Sequence, residues 1–135
     1  MDVPSLQQLL GDIFSPWVRE LDLVVRATTA DSVTLALPVQ PRHVHAGGVV
    51  CGQTLMAAAD TALVLAISHV QGGFRPQSMV QLQTSFLRAV RADVAEVAVV
   101  ARILKSGRSL VFGEVDLLLP DGQVAARATS TSALL

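Results

Sequence analysis

The chain has 135 residues, of which 51% are hydrophobic and 16% charged, with a net charge of −1, a pI near 6.2 and a mean hydropathy of +0.52. That length suits one domain, residues 1–135, with a sizeable core. The near-neutral charge, 4% aromatic content and absence of Tyr exclude the basic or base-stacking surface of a nucleic-acid binder.

A single cysteine excludes a disulfide framework and any multi-cysteine metal site. With so few charges to cover the surface, part of the apolar surplus is expected in a subunit interface. The start Met1-Asp2-Val3-Pro4 carries neither a basic nor a long apolar leader segment. These features together lead us to expect a cytoplasmic homo-oligomer.

Ser5 is placed to cap a short helix, Leu6 to Phe14, with Leu6, Leu9, Leu10 and Ile13 on one side and Pro16 ending it. From Trp17 to Ala27 the pattern alternates, with Leu21, Leu23, Val25 and Ala27 opposed to Glu20, Asp22 and Arg26, and this predicts a half-buried strand. Val33, Leu35, Leu37 and Val39 alternate in a second strand, the return arm of a hairpin closed by Pro38 and Pro41. His43 to Gly48 reads as a loop.

The stretch from Gly48 to about His69 then predicts a long helix, apolar on nearly every face and hence buried. We take it as too short to span a bilayer, which needs about 20 apolar residues. Asp60 sits in its middle, and no other acidic or basic residue lies between Arg42 and Arg75, histidines aside. A carboxylate in such company costs several kcal/mol unless it is paired, hydrogen-bonded or protonated. It either hydrogen-bonds a neighbouring turn or does chemistry.

After Gly72-Gly73 and Pro76 the chain reads as strands only: Ser78–Leu87, Val94–Lys105, Ser109–Leu119 and Gln123–Ala133, the last pair separated by the turn Pro120-Asp121-Gly122. Val80, Leu82, Thr84 and Phe86 are assigned to one face of the first of these, Gln81, Gln83 and Ser85 to the other. Strands on both sides of one apolar helix give an α+β fold, an antiparallel sheet wrapped around the helix.

This order of elements, together with Gly48-x-x-Cys51-Gly52 and Asp60 nine positions after Cys51, resembles the hotdog-fold acyl-CoA thioesterases, in particular the phenylacetate-pathway (PaaI-like) branch. The resemblance extends to the turn Lys105-Ser-Gly-Arg-Ser109 and the ending Ala126-Arg-Ala-Thr-Ser-Thr131. It departs from the branch at two positions, where Cys51 stands in place of the usual His and Gln53 in place of the usual second Gly.

The resemblance implies a sheet of five to six strands around the central helix, thioester hydrolysis of a small aryl- or short- to medium-chain acyl-CoA, and no cofactor beyond the coenzyme A moiety of the substrate. It also implies a dimer or dimer of dimers, with Gly52 and His45 from one chain meeting Asp60 and Ser78 from the other. Residue by residue, Gly52 would aim its N–H at the thioester carbonyl, a role suited to the free, positive end of a helix. Asp60 would be the general base for water or the nucleophile. His45 stands where an Asn or Gln orients the water, and Ser78 where a Ser or Thr supports the acid. Cys51, Gln53 and Met56 would line the substrate pocket, while Lys105, Arg108 and either Arg88 or Arg91 would meet the nucleotide phosphates.

Several alternatives stay open at this level. Cys51 could be a nucleophile activated by the helix end with His43 or His45 as base, or a small packing residue. His43, His45 and Asp60 could be imagined as metal ligands, although the trusted zinc spacings are absent. Outside catalysis, a non-hydrolysing acyl-CoA or acyl-carrier-protein binding module is the rival, favoured by the changes at Cys51 and Gln53.

Overall fold

A computed structural model describes residues 1–135. The N-terminal helix α1 spans Val3–Ile13 and is capped by Asp2, whose carboxylate accepts from the Ser5 amide at 2.8 Å. The cap is therefore Asp2 and not Ser5, because Pro4 already fits the first helical turn and needs no N–H there. A one-turn helix α2, Pro16–Arg19, follows with Ser15 as its N-cap residue. The strand expected from Trp17 is thus shorter: β1 is Val24–Thr28. Leu21 and Leu23 are buried as expected, in irregular backbone that includes Asp22 at a left-handed φ of 55°.

The remaining elements are β2 (Ser32–Pro38), a 3-10 turn (Pro41–His43), α3 (Gly52–Gln71), β3 (Gln77–Phe86), β4 (Glu96–Ser106), β5 (Leu110–Leu118) and β6 (Val124–Leu134). All strand pairs are antiparallel, in one six-stranded sheet of order β1-β2-β4-β5-β6-β3. Inward residues alternate along the central strands: Val97, Val99, Ala101 and Ile103 of β4, and Val111, Val115 and Leu117 of β5, are buried against α3. On β2, Ala36 is buried along with the expected Val33, Leu35 and Leu37.

Helix α3 lies close on this face because its contact side is built from small residues, Ala58, Ala59, Ala62 and Ala66, with Leu63 and Leu65 between them. The approach is tightest at Gly113, where an added Cβ would stand 2.8 Å from Leu63 Cδ2. Thr61 and Ser68 are buried too, and each hydroxyl returns a hydrogen bond to the carbonyl one turn earlier, at 2.8 and 2.9 Å. Gly72 ends the helix in the left-handed conformation at φ 77°.

By length and composition α3 is long and apolar enough to cross a membrane, contrary to the expectation that it is too short; most of that apolar window is instead buried in the protein. Nor is it buried all round. Met56, Ala57, Asp60 and Val64 are half-buried and Gln53 is exposed, and at helical spacing these form one stripe left open by the sheet.

The two edges of the sheet are treated differently. Along β1, the Gln7 side chain of α1 donates to the Leu23 carbonyl at 3.2 Å and accepts from the Val25 amide at 2.7 Å, which satisfies an edge that water would otherwise have to solvate. Nothing covers β3. A bulge between Met79 and Gln81 leaves Val80 63% exposed on that edge, so Val80 does not share the inward face with Leu82 and Thr84.

Candidate active site

The approach to α3 is fixed by backbone pairing. Val44 and Val50 form a bridge, the Cys51 amide donates to the His43 carbonyl at 2.9 Å, and the Val50 amide donates to the Val90 carbonyl at 2.8 Å. This clamps residues 43–51 between the 3-10 turn and the segment after β3. The helix then starts at Gly52 with Cys51 as N-cap residue, and no side chain caps it. The Gly52 and Gln53 N–H groups precede the first intrahelical bond and have no acceptor in the protomer, leaving two donors at the positive end of a 20-residue helix.

Glycine at this position leaves the backbone bare for a close contact. A Cβ on Gly52 would lie 3.2 Å from Phe86 Cζ, so the ring of Phe86 rests on the bare backbone. Both residues line a cavity of about 250 Å³ with Val49, Leu55, Leu87 and Arg88. Its walls are apolar, and Arg88, which donates to the Val124 carbonyl at 2.9 Å, stands in its lining. Arg91 is adjacent, bridged to Val49. A second cavity of about 250 Å³ opens on the other side of the helix start, between α2, the 3-10 turn and the residues flanking Gly52.

Asp60 lies eight residues along α3, about 12 Å from Gly52. It is on the open stripe with Gln53 and Met56, and its carboxyl is pushed above the usual carboxylate range by desolvation alone, with no hydrogen bond or cation to offset it. The reading of Asp60 as a residue that bonds a neighbouring turn therefore finds no partner in the protomer. A half-buried carboxylate whose basicity is raised by desolvation is suited to accept a proton.

The other expected residues are placed as follows. His45 is exposed in the turn before the helix, and its Nδ1 accepts from the Gly47 amide at 2.8 Å, which leaves Nε2–H as its free donor. Cys51 is half-buried at the helix start, with Sγ 3.1 Å from Thr54 Oγ1. His43 is held low in pKa, chiefly by desolvation and then by Arg42, with Asp22 opposing. No cluster of three or more His, Cys, Asp or Glu side chains is arranged to hold a metal, so His43, His45 and Asp60 do not form a triad.

Ser78 is not brought to Asp60 within the protomer. It pairs with Ala133 while its neighbour Met79 pairs with the buried Ser132, so Ser78 is exposed on the sheet face opposite to α3. Lys105 and Arg108 are exposed at the β4–β5 turn, at the end of the sheet away from Gly52, whereas Arg88 and Arg91 are at the near end. Phe86, Thr54 and Trp17 are site-lining residues that spacing alone does not single out; a large aromatic next to a glycine is visible only once β3 is folded beside α3.

The model of the thioesterase superfamily matches residues 47–126, which include the whole helix α3 and most of the sheet. Among solved structures, a thioesterase of Haemophilus influenzae superposes with a TM-score of 0.88 at 21% identity, over 100% of this chain and 91% of that one. PaaI of Escherichia coli, from the phenylacetic acid degradation operon, superposes at 0.84 and 12% identity over 98% and 93%. A hypothetical thioesterase of Streptococcus pneumoniae solved with coenzyme A does so at 0.77 and 17%, over 84% and 85%. No curated protein sequence matches. At these identities the structures establish the shared fold, that of the PaaI-like branch included. The family match extends over more than half of the chain: it belongs to the thioesterase superfamily and is a hotdog-fold thioester hydrolase.

Proposed function

We propose that the chain hydrolyses the thioester of a small aryl- or short- to medium-chain acyl-CoA, with Asp60 as the proton-accepting base or the nucleophile. The observation that carries this reading is the unpaired, desolvated Asp60 carboxyl on the one open stripe of a helix whose start offers free N–H donors. The Gly52 N–H polarises the thioester carbonyl and stabilises the oxyanion that develops, an effect of about 3–4 kcal/mol for one donor. In the base form of the mechanism, water adds to the carbonyl carbon as Asp60 takes its proton. The C–S bond then breaks, and the thiolate leaves and is protonated. Nε2–H of His45 is the free donor beside the helix start that can hold the water or the carbonyl. No metal or redox group is needed for these steps.

The site is shared between two chains in this reading. Gly52 and Asp60 are about 12 Å apart along one helix, yet both must come within about 3–3.5 Å of the reacting carbon. Strand β3 is an uncovered edge and meets α3 where Phe86 rests on Gly52, and a second copy joined antiparallel along β3 would place the far end of one sheet beside the near end of the other. That arrangement brings Asp60, Lys105 and Arg108 of one protomer towards Gly52 and Arg88 of its partner. A dimer, or a dimer of dimers, in the cytoplasm is the assembly we propose.

The test is thiol release from a panel of aryl, short- and medium-chain acyl-CoA compounds. Turnover that is lost in Asp60→Asn supports the reading. Tight binding of several members without turnover of any would replace it by a non-hydrolysing acyl-CoA binding module.

A further inference from the structure

We propose that Gln53 is a further catalytic residue: its side-chain carbonyl accepts the second hydrogen of the attacking water, while Asp60 of the partner subunit takes the first. This inference rests on the shared hydrolytic site of the preceding section.

The open stripe of α3 sets the geometry. Between Gln53 and Asp60 the helix makes almost two full turns, so their side chains leave it within about 20° of one another. A two-fold axis that sets the Gly52 amide level with Asp60 of the partner subunit crosses the stripe at Met56, midway between them in sequence. It lays the two helices antiparallel. Gln53 then stands about 1.5 Å from that level, with its side chain directed at the facing helix. One axis thus gathers an amide N–H, a carboxylate and a carboxamide. Within its own chain Gln53 is about 10 Å from Asp60, too far for the two to hold one water.

The chemistry calls for a second acceptor. Water attacks a carbonyl carbon through a lone pair, so both of its hydrogens have to be held away from that carbon. Asp60 removes one as a proton. The new C–O bond forms, and the carbonyl electron pair moves to the oxygen held by the Gly52 N–H. The second hydrogen stays on the attacking oxygen and is held by Gln53 Oε1.

Other acceptors beside the helix start are committed or closed. His45 Nδ1 takes the Gly47 amide, Thr54 Oγ1 lies against Cys51 Sγ, and His43 Nδ1 is sealed from water. Arg42 and Arg88 only donate. The free side-chain oxygens are those of Gln53 and Glu20, which line the same cavity. Gln53 is exposed and bonded to nothing in the protomer. Glu20 belongs to the C-cap of α2 and not to the stripe. A neutral amide also leaves Asp60 free to ionise, which a second carboxylate so close would oppose.

The experiment follows hydrolysis of benzoyl-CoA and butanoyl-CoA by the wild type, Gln53→Ala, Gln53→Glu and Glu20→Gln. Gln53→Ala should lower kcat about tenfold with KM nearly unchanged, and Glu20→Gln should keep the wild-type kcat. Gln53→Glu folds, because an acidic residue in the first turn favours a helix, and it should move the acid limb of kcat/KM up by about one pH unit. The titratable groups around residue 53 (Glu20, Arg42, His43, His45 and Cys51) are common to the variant and the wild type. The variant's own Asp60 is about a Debye length away, so the shift reports Asp60 of the partner subunit.

Co-refolding assigns the half-site. Gln53→Ala refolded with Asp60→Asn should return about a quarter of the wild-type activity, because one site in each mixed dimer is whole. Refolded with Gly52→Pro, whose lesion is on the same side of the site, it should return about a twentieth. A wild-type kcat in Gln53→Ala, an effect confined to KM, a larger loss in Glu20→Gln, an acid limb unmoved in Gln53→Glu, or no recovery with Asp60→Asn overturns this inference and leaves the hydrolase reading standing. A wild type that hydrolyses no acyl-CoA, in this pair or in the wider panel, overturns both.

Discussion

The Phe86 ring rests against Gly52 so closely that a Cβ on the glycine would come within 3.2 Å of Cζ and 3.3 Å of Cε1. In a helix interior alanine would gain roughly 0.5–1 kcal/mol over glycine, and at the first helical position the gain is smaller. Here the contact opposes that gain. Phe86 is 50% exposed, however, so its ring can yield by a few tenths of an ångström. Gly52→Ala should therefore melt within a few degrees of the wild type while losing most of its kcat, because the methyl group and the displaced ring obstruct the approach to the N–H. A melting curve and steady-state kinetics check this. Full activity in Gly52→Ala would show that the substrate does not approach this amide.

Asp60→Asn should lower kcat by roughly 10²–10⁴-fold, the range for loss of a positioned acid–base group. Its stability should move the other way. Desolvation raises the folded-state pKa of Asp60 above its value of 3.8 in the unfolded chain. The ionised form is thus penalised by folding, and the group's favourable contribution is present at low pH and lost as pH rises through the folded pKa. At neutral pH the Asn variant should be the more stable of the two, and the difference should shrink as pH falls towards the unfolded value. Denaturant unfolding at several pH values measures this, and a wild type that gains relative to Asp60→Asn with rising pH would mean that a partner stabilises the charge. The acid limb of kcat/KM should titrate above the ordinary value of an aspartate for the same reason.

Most of the architecture was legible because it depends on hydrophobic period, and the parts that were not depend on local backbone geometry. Helix α3 and strands β2 and β4–β6 follow directly from apolar spacing. Residues 17–23 alternate like a strand, but Ser15-Pro16 starts a helical turn and Asp22 adopts a left-handed φ, and alternation cannot register either. Likewise the bulge at Val80 shifts the parity of β3, which is why Ser78 lies on the outer face although its distance from Asp60 along the chain fits the resemblance. The helix start and Asp60 stand out in the sequence by their spacing. Phe86 and Trp17 do not, since each enters the site from an element distant in sequence.

Cys51 is the conspicuous departure from the family pattern, and its surroundings suit a packing role: Sγ sits 3.1 Å from Thr54 Oγ1, beside the first turn. Cys51→Ala should keep most of the activity, and alkylation of the native thiol should be slow. An inactive Cys51→Ala with an unchanged melting curve, or an acyl-cysteine adduct in the mass spectrum of protein quenched during turnover, would make the cysteine the nucleophile.

A shared site can be tested by mixing two inactive proteins. Asp60→Asn lacks the base. Gly52→Pro lacks the N–H, and the local backbone accepts the change, because Pro is favoured at the first helical position and Cys51 before it is already extended at φ −68° and ψ 148°. Each homodimer of either protein has both of its sites broken. In a mixed dimer the lesions segregate: one site receives both the substituted glycine and the substituted aspartate, and the other receives neither. Unfolding equal amounts together and refolding them makes about half of the dimers mixed, with one intact site in each, so roughly a quarter of the wild-type activity should return. The proteins refolded separately and then combined provide the control. If one chain carried both Gly52 and Asp60 of its own site, no site in a mixed dimer would be whole, and co-refolding would restore nothing.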